Sequence, residues 1–252
     1  MITQIEKENN LFPISVSSDI LIAGFTGRKH GNMSLSYGDT RFALENRGVF
    51  LQGIGINHDN LICTKQVHGS EVAVVTEEHR GKGAFDYNSA INGTDAIITN
   101  RKNLALAIFS ADCLAVSFYD SKNSVIGMAH AGWKGSKEGI CQKVVKEMKN
   151  NFGTLPQDLY VAFGPAIRKC CYEVGDEFNQ HFTGKVAKRL DKFYLDLAEV
   201  NKSQLLNCGL KEKNIFDTLA CTSCRIKDFY SYRQEGSSCG RIMSVTMLKH
   251  ND

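Results

Sequence analysis

The sequence predicts a mixed α/β domain built around antiparallel hairpins, and three observations carry that reading. Short runs rich in Val, Ile and Ala recur between residues 61 and 129, often alternating in hydropathy as half-buried strands do. After His130 the period lengthens: Ile140, Val144, Val145, Met148 and Phe152 recur at helical spacing, with Lys143, Lys146 and Glu147 on the other face. Only three prolines occur, and no linker-like or low-complexity stretch divides the chain, so 1–252 reads as a single domain.

In chain order, Gly27-Arg28-Lys29-His30-Gly31-Asn32 is a polar loop, and 41–53 reads as a helix with Phe42, Leu44, Val49 and Phe50 apolar. Strands are expected over 61–67, 71–76, 95–99, 104–109, 113–119 and 125–129. A helix follows Gly132-Trp133-Lys134-Gly135-Ser136. Residues 159–163 form another strand, ended by the turn Gly164-Pro165. Helices are expected over 174–190 and 197–208, and final strands over 229–233 and 242–248. There is no internal repeat.

Composition narrows the class. At 252 residues the chain is long enough for a sizeable core, and 42% hydrophobic with 23% charged residues is an ordinary soluble balance. A net charge of +3, with lysines and arginines scattered, gives no electrostatic footprint for nucleic acid. The longest apolar stretch, 104–119, is interrupted by Asp112 and reads as two strands rather than a membrane span. The N-terminus lacks a basic start and an apolar core, and nine cysteines is an odd number, so reduced thiols in the cytoplasm are expected.

Chemistry concentrates in three motifs: Gln66-Val67-His68-Gly69, Ala111-Asp112-Cys113 and Ala129-His130-Ala131-Gly132-Trp133. If the turn Asp120-Ser121-Lys122-Asn123 is centred between Ser121 and Lys122, Cys113 lies directly opposite His130 in a hairpin. Opposed Cβ atoms are roughly 4.5–5.5 Å apart. A thiolate and an imidazole at that separation can share a metal ion or act as nucleophile and base. Catalytic zinc takes three protein ligands and leaves a fourth position open, and His68, Cys113 and His130 supply that number. Taken singly, each is also what a packed core thiol or a satisfied histidine looks like. Asp112 needs a partner or a task, because a carboxylate inside an apolar hairpin is costly.

Rival chemistries are weaker. Blue-copper centres gather Cys, His and Met in one short loop, whereas sixteen residues separate Cys113 from His130, and the seven histidines form no His-X-His pair. No histidine is followed by X-Glu, which excludes the zinc-deaminase signature. Cys221-Thr222-Ser223-Cys224 is a CxxC motif that, with Cys170-Cys171, Cys208 or Cys239, is capable of a structural zinc site or a redox pair. A zinc ribbon needs a second pair at comparable spacing. None exists, so packed or reactive thiols are expected. For anions, Lys134 near a helix start, Arg233 among aromatics and Arg241 after a turn are the candidate substrate-binding cations.

These motifs, in this order, resemble the family once described as polyphenol oxidase or laccase-domain proteins and now regarded as zinc-dependent purine nucleoside phosphorylases. The resemblance runs from about Gly24 to Leu248 and also draws on Gly93-Thr94-Asp95-Ala96, Gly164-Pro165-Ala166-Ile167, Tyr172-Glu173-Val174 and Phe229-Tyr230-Ser231-Tyr232-Arg233 with Gly240-Arg241. It implies that His68, Cys113 and His130 hold Zn2+, copper being the lesser alternative. It implies an α+β fold, a mixed α/β sandwich like the catalytic domain of cytotoxic necrotizing factor. The implied reaction is phosphorolysis of adenosine, inosine, guanosine or methylthioadenosine to the base and pentose 1-phosphate, with adenosine deamination as a second activity. Cys113, His130 and Asp112 would then carry catalysis, Asp112 as proton carrier. The chain departs from the family pattern at Ser36, Ala115 and Lys134, where Asn, Pro and Arg are usual. Lys134 keeps a charge but lacks a bidentate fork. Three other readings stay open: a cysteine-dependent hydrolase or amidase acting on a cell-wall precursor, a polyphenol oxidase with copper, and a non-enzymatic binding module.

Overall fold

The computed structural model describes residues 10–13 and 20–249. Strands β6 (Leu114–Asp120) and β7 (Val125–Ala131) form a hairpin in which every strand residue is buried. Ala115 pairs with His130, and Asp120 with Val125. The expected pairing of Cys113 with His130 is therefore wrong by two residues. Asp120 causes the shift: its Oδ1 accepts the backbone N–H groups of Lys122 (2.9 Å) and Asn123 (3.1 Å), and its Oδ2 accepts from Asn123 Nδ2. That carboxylate organises a four-residue turn, closed by Ser124 in the left-handed region at φ 52°. A shift of two keeps every side chain on its expected face.

The hairpin is the centre of a six-stranded sheet. Its order is β12 (Ile215–Asp217), β8 (Leu159–Phe163), β6, β7, β4 (Ala96–Thr99), β3 (Val72–Val74). A four-stranded sheet runs β1 (Leu21–Phe25), β13 (Ile242–Leu248), β5 (Ala105–Ser110), β2 (Leu61–Cys63). Alternation sorts the side chains between layers. Ala115, Tyr119, Ile126 and Met128 meet Leu106, Ile108 and Ile242 between the two sheets. Leu114, Val116, Phe118 and Ala129 face α3 (Ile140–Phe152) and α5 (Leu197–Asn207), through Val144, Met148, Ala198 and Leu205. On the far side, Ala105, Ala107, Met243 and Val245 pack on Phe50 and Leu51 of α1 (Thr40–Gly53). The layers are thus helix, sheet, sheet, helices, a mixed α/β sandwich as expected. Central strands covered on both faces explain why their sequences are almost wholly apolar. Among the described residues no helix is long and apolar enough to cross a membrane.

Two expected elements are absent in the form anticipated. The 174–190 helix is instead β9 (Glu173–Val174), the single turn α4 (Phe178–His181) and the strand β10 (Ala187–Arg189), which pairs with β11 (Lys192–Tyr194). Val174, Phe178, Phe182 and Val186 all pack on the same core from different local structures, so their four-residue spacing imitates a helix. The 229–233 strand is a turn leading into α6 (Tyr232–Glu235), with Phe229 N bonded to Arg225 O and Glu235 N to Ser231 O. Strand β1 carried no periodic signal of its own.

Candidate active site

His130 is the second-last residue of β7, on the face directed between the two sheets, where Ala115 opposite it leaves room. Cys113 immediately precedes β6, following Asp112, which sits in the left-handed region at φ 88°. His68 lies in the loop after β2, itself left-handed at φ 59°. One carboxylate holds that loop: Asp95 Oδ1 accepts the N–H of His68 (3.0 Å), and Oδ2 accepts those of Val67 (3.0 Å) and Gly69 (2.9 Å). Asp95 Oδ1 also accepts from His130 Nδ1 at 2.8 Å. Ligand-capable atoms of His68, Cys113 and His130 all come within 4.8 Å of one another, although the register that suggested the pair was wrong. The His68 and His130 ring centroids are 4.8 Å apart at 77°.

Electrostatics fit a thiolate flanked by imidazoles. Burial pushes the Cys113 thiol up, but hydrogen bonds and charge from His130 and His68 outweigh it, bringing the pKa down to about 6. Burial opposes a charge on His130, yet the Cys113 thiolate and the Asp95 carboxylate raise it to about 9. Asp95 itself, despite its burial, is held below the usual carboxylate range by His130 and the loop amides.

Two glycines make the cradle. A Cβ on Gly132 would come 3.2 Å from both Cys113 Sγ and His68 Cδ2, in the space beside the ligand atoms. A Cβ on Gly135 would stand 2.5 Å from the Gly69 carbonyl, so the helix α2 (Trp133–Lys137) can lie against the His68 loop only without one. Three facing donors, a carboxylate on the far nitrogen of His130 and a reserved space beside them fit a metal ion.

This centre opens on a cavity of about 570 Å³, a size typical of small-molecule sites. Its wall includes Tyr37, Trp133, Tyr172, Asp112, Arg233 and Arg241. Arg241 stacks 3.8 Å over the Tyr37 ring. Arg233 lies over Tyr172, and its Nη2 donates to Glu173 O at 3.0 Å. Asp112 is buried: its Oδ1 accepts from Thr222 Oγ1 (2.6 Å) and its Oδ2 from the Arg233 N–H (2.7 Å). Lys134 does not join them. It is exposed on α2, its Nζ 5.6 Å from the centroid of the Trp133 ring, and residues 133–136, read as a loop before a helix, are themselves part of the short helix.

Sequence reasoning missed two residues. Asp95 carried a signal, since an acid at the head of an apolar strand must have partners. Arg47 did not, because its position in α1 looks like an ordinary helical arginine. It is in fact buried, donating to the carbonyls of Met33, Gly83 and Ala84 and reaching the cavity wall. Of the partners considered for the CxxC motif, the structure brings Cys170-Cys171 to it: Cys170, Cys171, Cys221 and Cys224 meet in one cluster, while Cys208 and Cys239 do not join it.

The chain is similar to known proteins over most of its length. The chain is 32% identical over 243 residues to purine nucleoside phosphorylase YlmD of Geobacillus stearothermophilus, covering 88% of each chain. It is 29% identical over 215 residues, 82% of each, to adenosine deaminase RL5 from an unknown prokaryotic organism. The crystal structure of the Geobacillus stearothermophilus YlmD superposes with a TM-score of 0.86, covering 91% of this chain and 92% of that one. The model of the family described as multi-copper polyphenol oxidoreductase laccase matches residues 24–249, and the chain belongs to that family.

Proposed function

We propose that the chain is a purine nucleoside phosphorylase with adenosine deamination as a second activity, and that His68, Cys113 and His130 hold a zinc ion. The observation that carries this reading is the convergence of those three donors at the wall of a cavity lined by aromatics and arginines. The names of the relatives support the substrate class.

A zinc ion held there supplies Lewis-acid polarisation to a reacting atom. The protein's own groups do the rest. Asp95 fixes the His130 tautomer by accepting from Nδ1, which turns Nε2 toward Cys113. Tyr37, Trp133 and Tyr172 offer flat apolar faces to a purine. Arg233 and Arg241 supply the positive charge that orients phosphate against the anomeric carbon. Asp112 is the proton carrier for deamination. Of roughly four lone-pair sites on an ionised carboxylate, Thr222 and Arg233 take two and fix its orientation. Lys134, outside the cavity wall, has no part in this scheme.

One observation favours a second reading. Cys113, His130 and Asp95 also form a nucleophile, base and orienter in sequence, which is the arrangement of a cysteine hydrolase. His68 separates the two, since a nucleophilic triad does not require it.

The test is incubation with inosine and phosphate, and separately with adenosine, followed by chromatography, with His68→Ala and Cys113→Ser as controls and zinc measured in each sample. Phosphate-dependent release of hypoxanthine by zinc-loaded wild type, abolished in both variants, is the expected result. Activity without stoichiometric zinc, unaffected by His68→Ala and inhibited by iodoacetamide, would replace the zinc ion by a Cys113 nucleophile, whereas no base release and no inosine from adenosine would end the phosphorylase reading.

A further inference from the structure

Four cysteines converge in a second cluster, none of them among the residues that line the cavity. Cys170 and Cys171 lie in the turn after β8, where Cys171 N bonds to Arg168 O. Cys221 and Cys224 form the CxxC turn, closed by Arg225 N to Cys221 O at 3.0 Å. A short parallel bridge between Ala166 and Cys221 aligns the two turns. All four Sγ atoms lie within 4.8 Å of one another, with Cys224 Sγ 3.4 Å from Cys170 Sγ and 3.3 Å from Cys171 Sγ.

Those separations are informative. A disulfide needs about 2.05 Å, and all four thiols are free. Tetrahedral zinc with Zn–S of about 2.3 Å puts its sulfurs about 3.8 Å apart, a separation between the 3.3 Å contact and the 4.8 Å limit of this cluster. An iron–sulfur cubane seats each thiolate on a different iron and spreads the cysteines further than this cluster allows.

We propose that Cys170, Cys171, Cys221 and Cys224 bind a second metal ion, a structural zinc with four thiolate ligands. On binding, each S–H gives its proton to solvent and each sulfur gives a lone pair to zinc. The closed complex carries a net charge of −2, and no electron is transferred. The ion clips the two turns together. Thr222, inside the CxxC turn, bonds to Asp112, and the Cys171 carbonyl receives Arg233 Nη1 at 3.5 Å. The clip therefore sets the positions of Asp112 and Arg233 without touching substrate.

The decisive sample is the full-length double variant His68→Ala/Cys113→Ser, purified under reducing conditions, in which the first centre is destroyed and all four cysteines remain. It is expected to retain one equivalent of zinc where wild type holds two. Replacement by cobalt should give the intense thiolate charge-transfer and d–d bands of a tetrahedral four-sulfur site. Adding Cys221→Ser/Cys224→Ser should remove both the equivalent and the bands; if that variant does not fold, the spectrum of the double variant and the wild-type stoichiometry still decide. A double variant that holds no zinc and develops no four-sulfur cobalt spectrum overturns the proposal. So does anaerobic mass spectrometry finding these cysteines as disulfides. None of these readouts involves nucleoside chemistry, so the second site can fail while the proposed activity stands, and the reverse.

Discussion

Asp95 and His130 face each other across the β4–β7 ladder, and a 2.8 Å hydrogen bond joins carboxylate to imidazole at the point where the strands end. The same carboxylate gathers three successive amides of the His68 loop. One buried acid thereby positions two of the three metal-capable side chains.

Asp95→Asn tests that arrangement. The amide keeps one acceptor oxygen but turns an NH2 toward groups that are themselves donors. Metal affinity, measured by chelator competition, is expected to fall roughly 10–100-fold, the usual cost of losing the carboxylate behind a ligating histidine. Unchanged affinity with intact folding would show that Asp95 does not orient the site.

Gly132 and Gly135 should fail in different ways when changed to alanine. Gly132 has an ordinary extended backbone, so its new Cβ crowds only Cys113 Sγ and His68 Cδ2, at 3.2 Å. Weaker metal binding with little loss of stability is expected there. In Gly135→Ala the Cβ meets a backbone carbonyl at 2.5 Å, and overpacking of that kind costs about 1–3 kcal/mol. Urea denaturation and metal titration of both variants separate the two effects, and identical behaviour would contradict the geometry.

Among the cations, Lys134→Ala should leave KM for phosphate within about twofold, because a lost surface charge is worth little. Arg241→Ala should raise it about tenfold or more, the value of a charge-assisted hydrogen bond of about 1.5 kcal/mol. Steady-state kinetics at saturating nucleoside read this directly; the opposite ranking would move the phosphate site onto α2.

Arg168 joins two carboxylates, bidentate to Asp217 at 2.8 and 2.9 Å and to Asp196 at 3.1 Å. Asp196 in turn caps α5 by accepting from Ala198 N. Arg168→Ala strands both acids in a largely buried place and should destabilise the protein by about 3 kcal/mol. A shift in the urea midpoint equivalent to less than about 1 kcal/mol, the worth of a surface pair, would mean that the network is solvated in solution.

Stripping metal by dialysis against a strong chelator should abolish base release, and zinc should restore it. Copper(II) should not, despite the description of the family. Full recovery with copper alone would reassign the metal.

The interior of the fold was legible because layered burial leaves a simple mark: β6 and β7, covered on both faces, are written almost entirely in apolar residues. The three metal-capable residues were legible too, since His and Cys beside small residues at strand ends are uncommon company. What failed was set by side chains acting on backbone. Asp120 lengthened the turn and moved the register, and a four-residue apolar spacing in 174–186 served strands and a single turn rather than a helix. The thiol cluster was half visible. The CxxC could be read, but its partner was an adjacent pair brought to it by the Ala166–Cys221 bridge, and no spacing rule encodes a bridge between distant turns.

The docking of β4 on β7 also governs when the centre can exist during folding. The hairpin carrying Cys113 and His130 is local and closes early, on the microsecond scale of hairpins. Asp95 and the His68 loop reach it only through pairing between segments distant in the chain, which is slower. Metal offered to the newly made chain meets scattered donors, whereas metal offered after sheet closure meets a prepared socket. Uptake is therefore a report of completed topology, and a mutation that delays β4 pairing would be read first as slow metal loading.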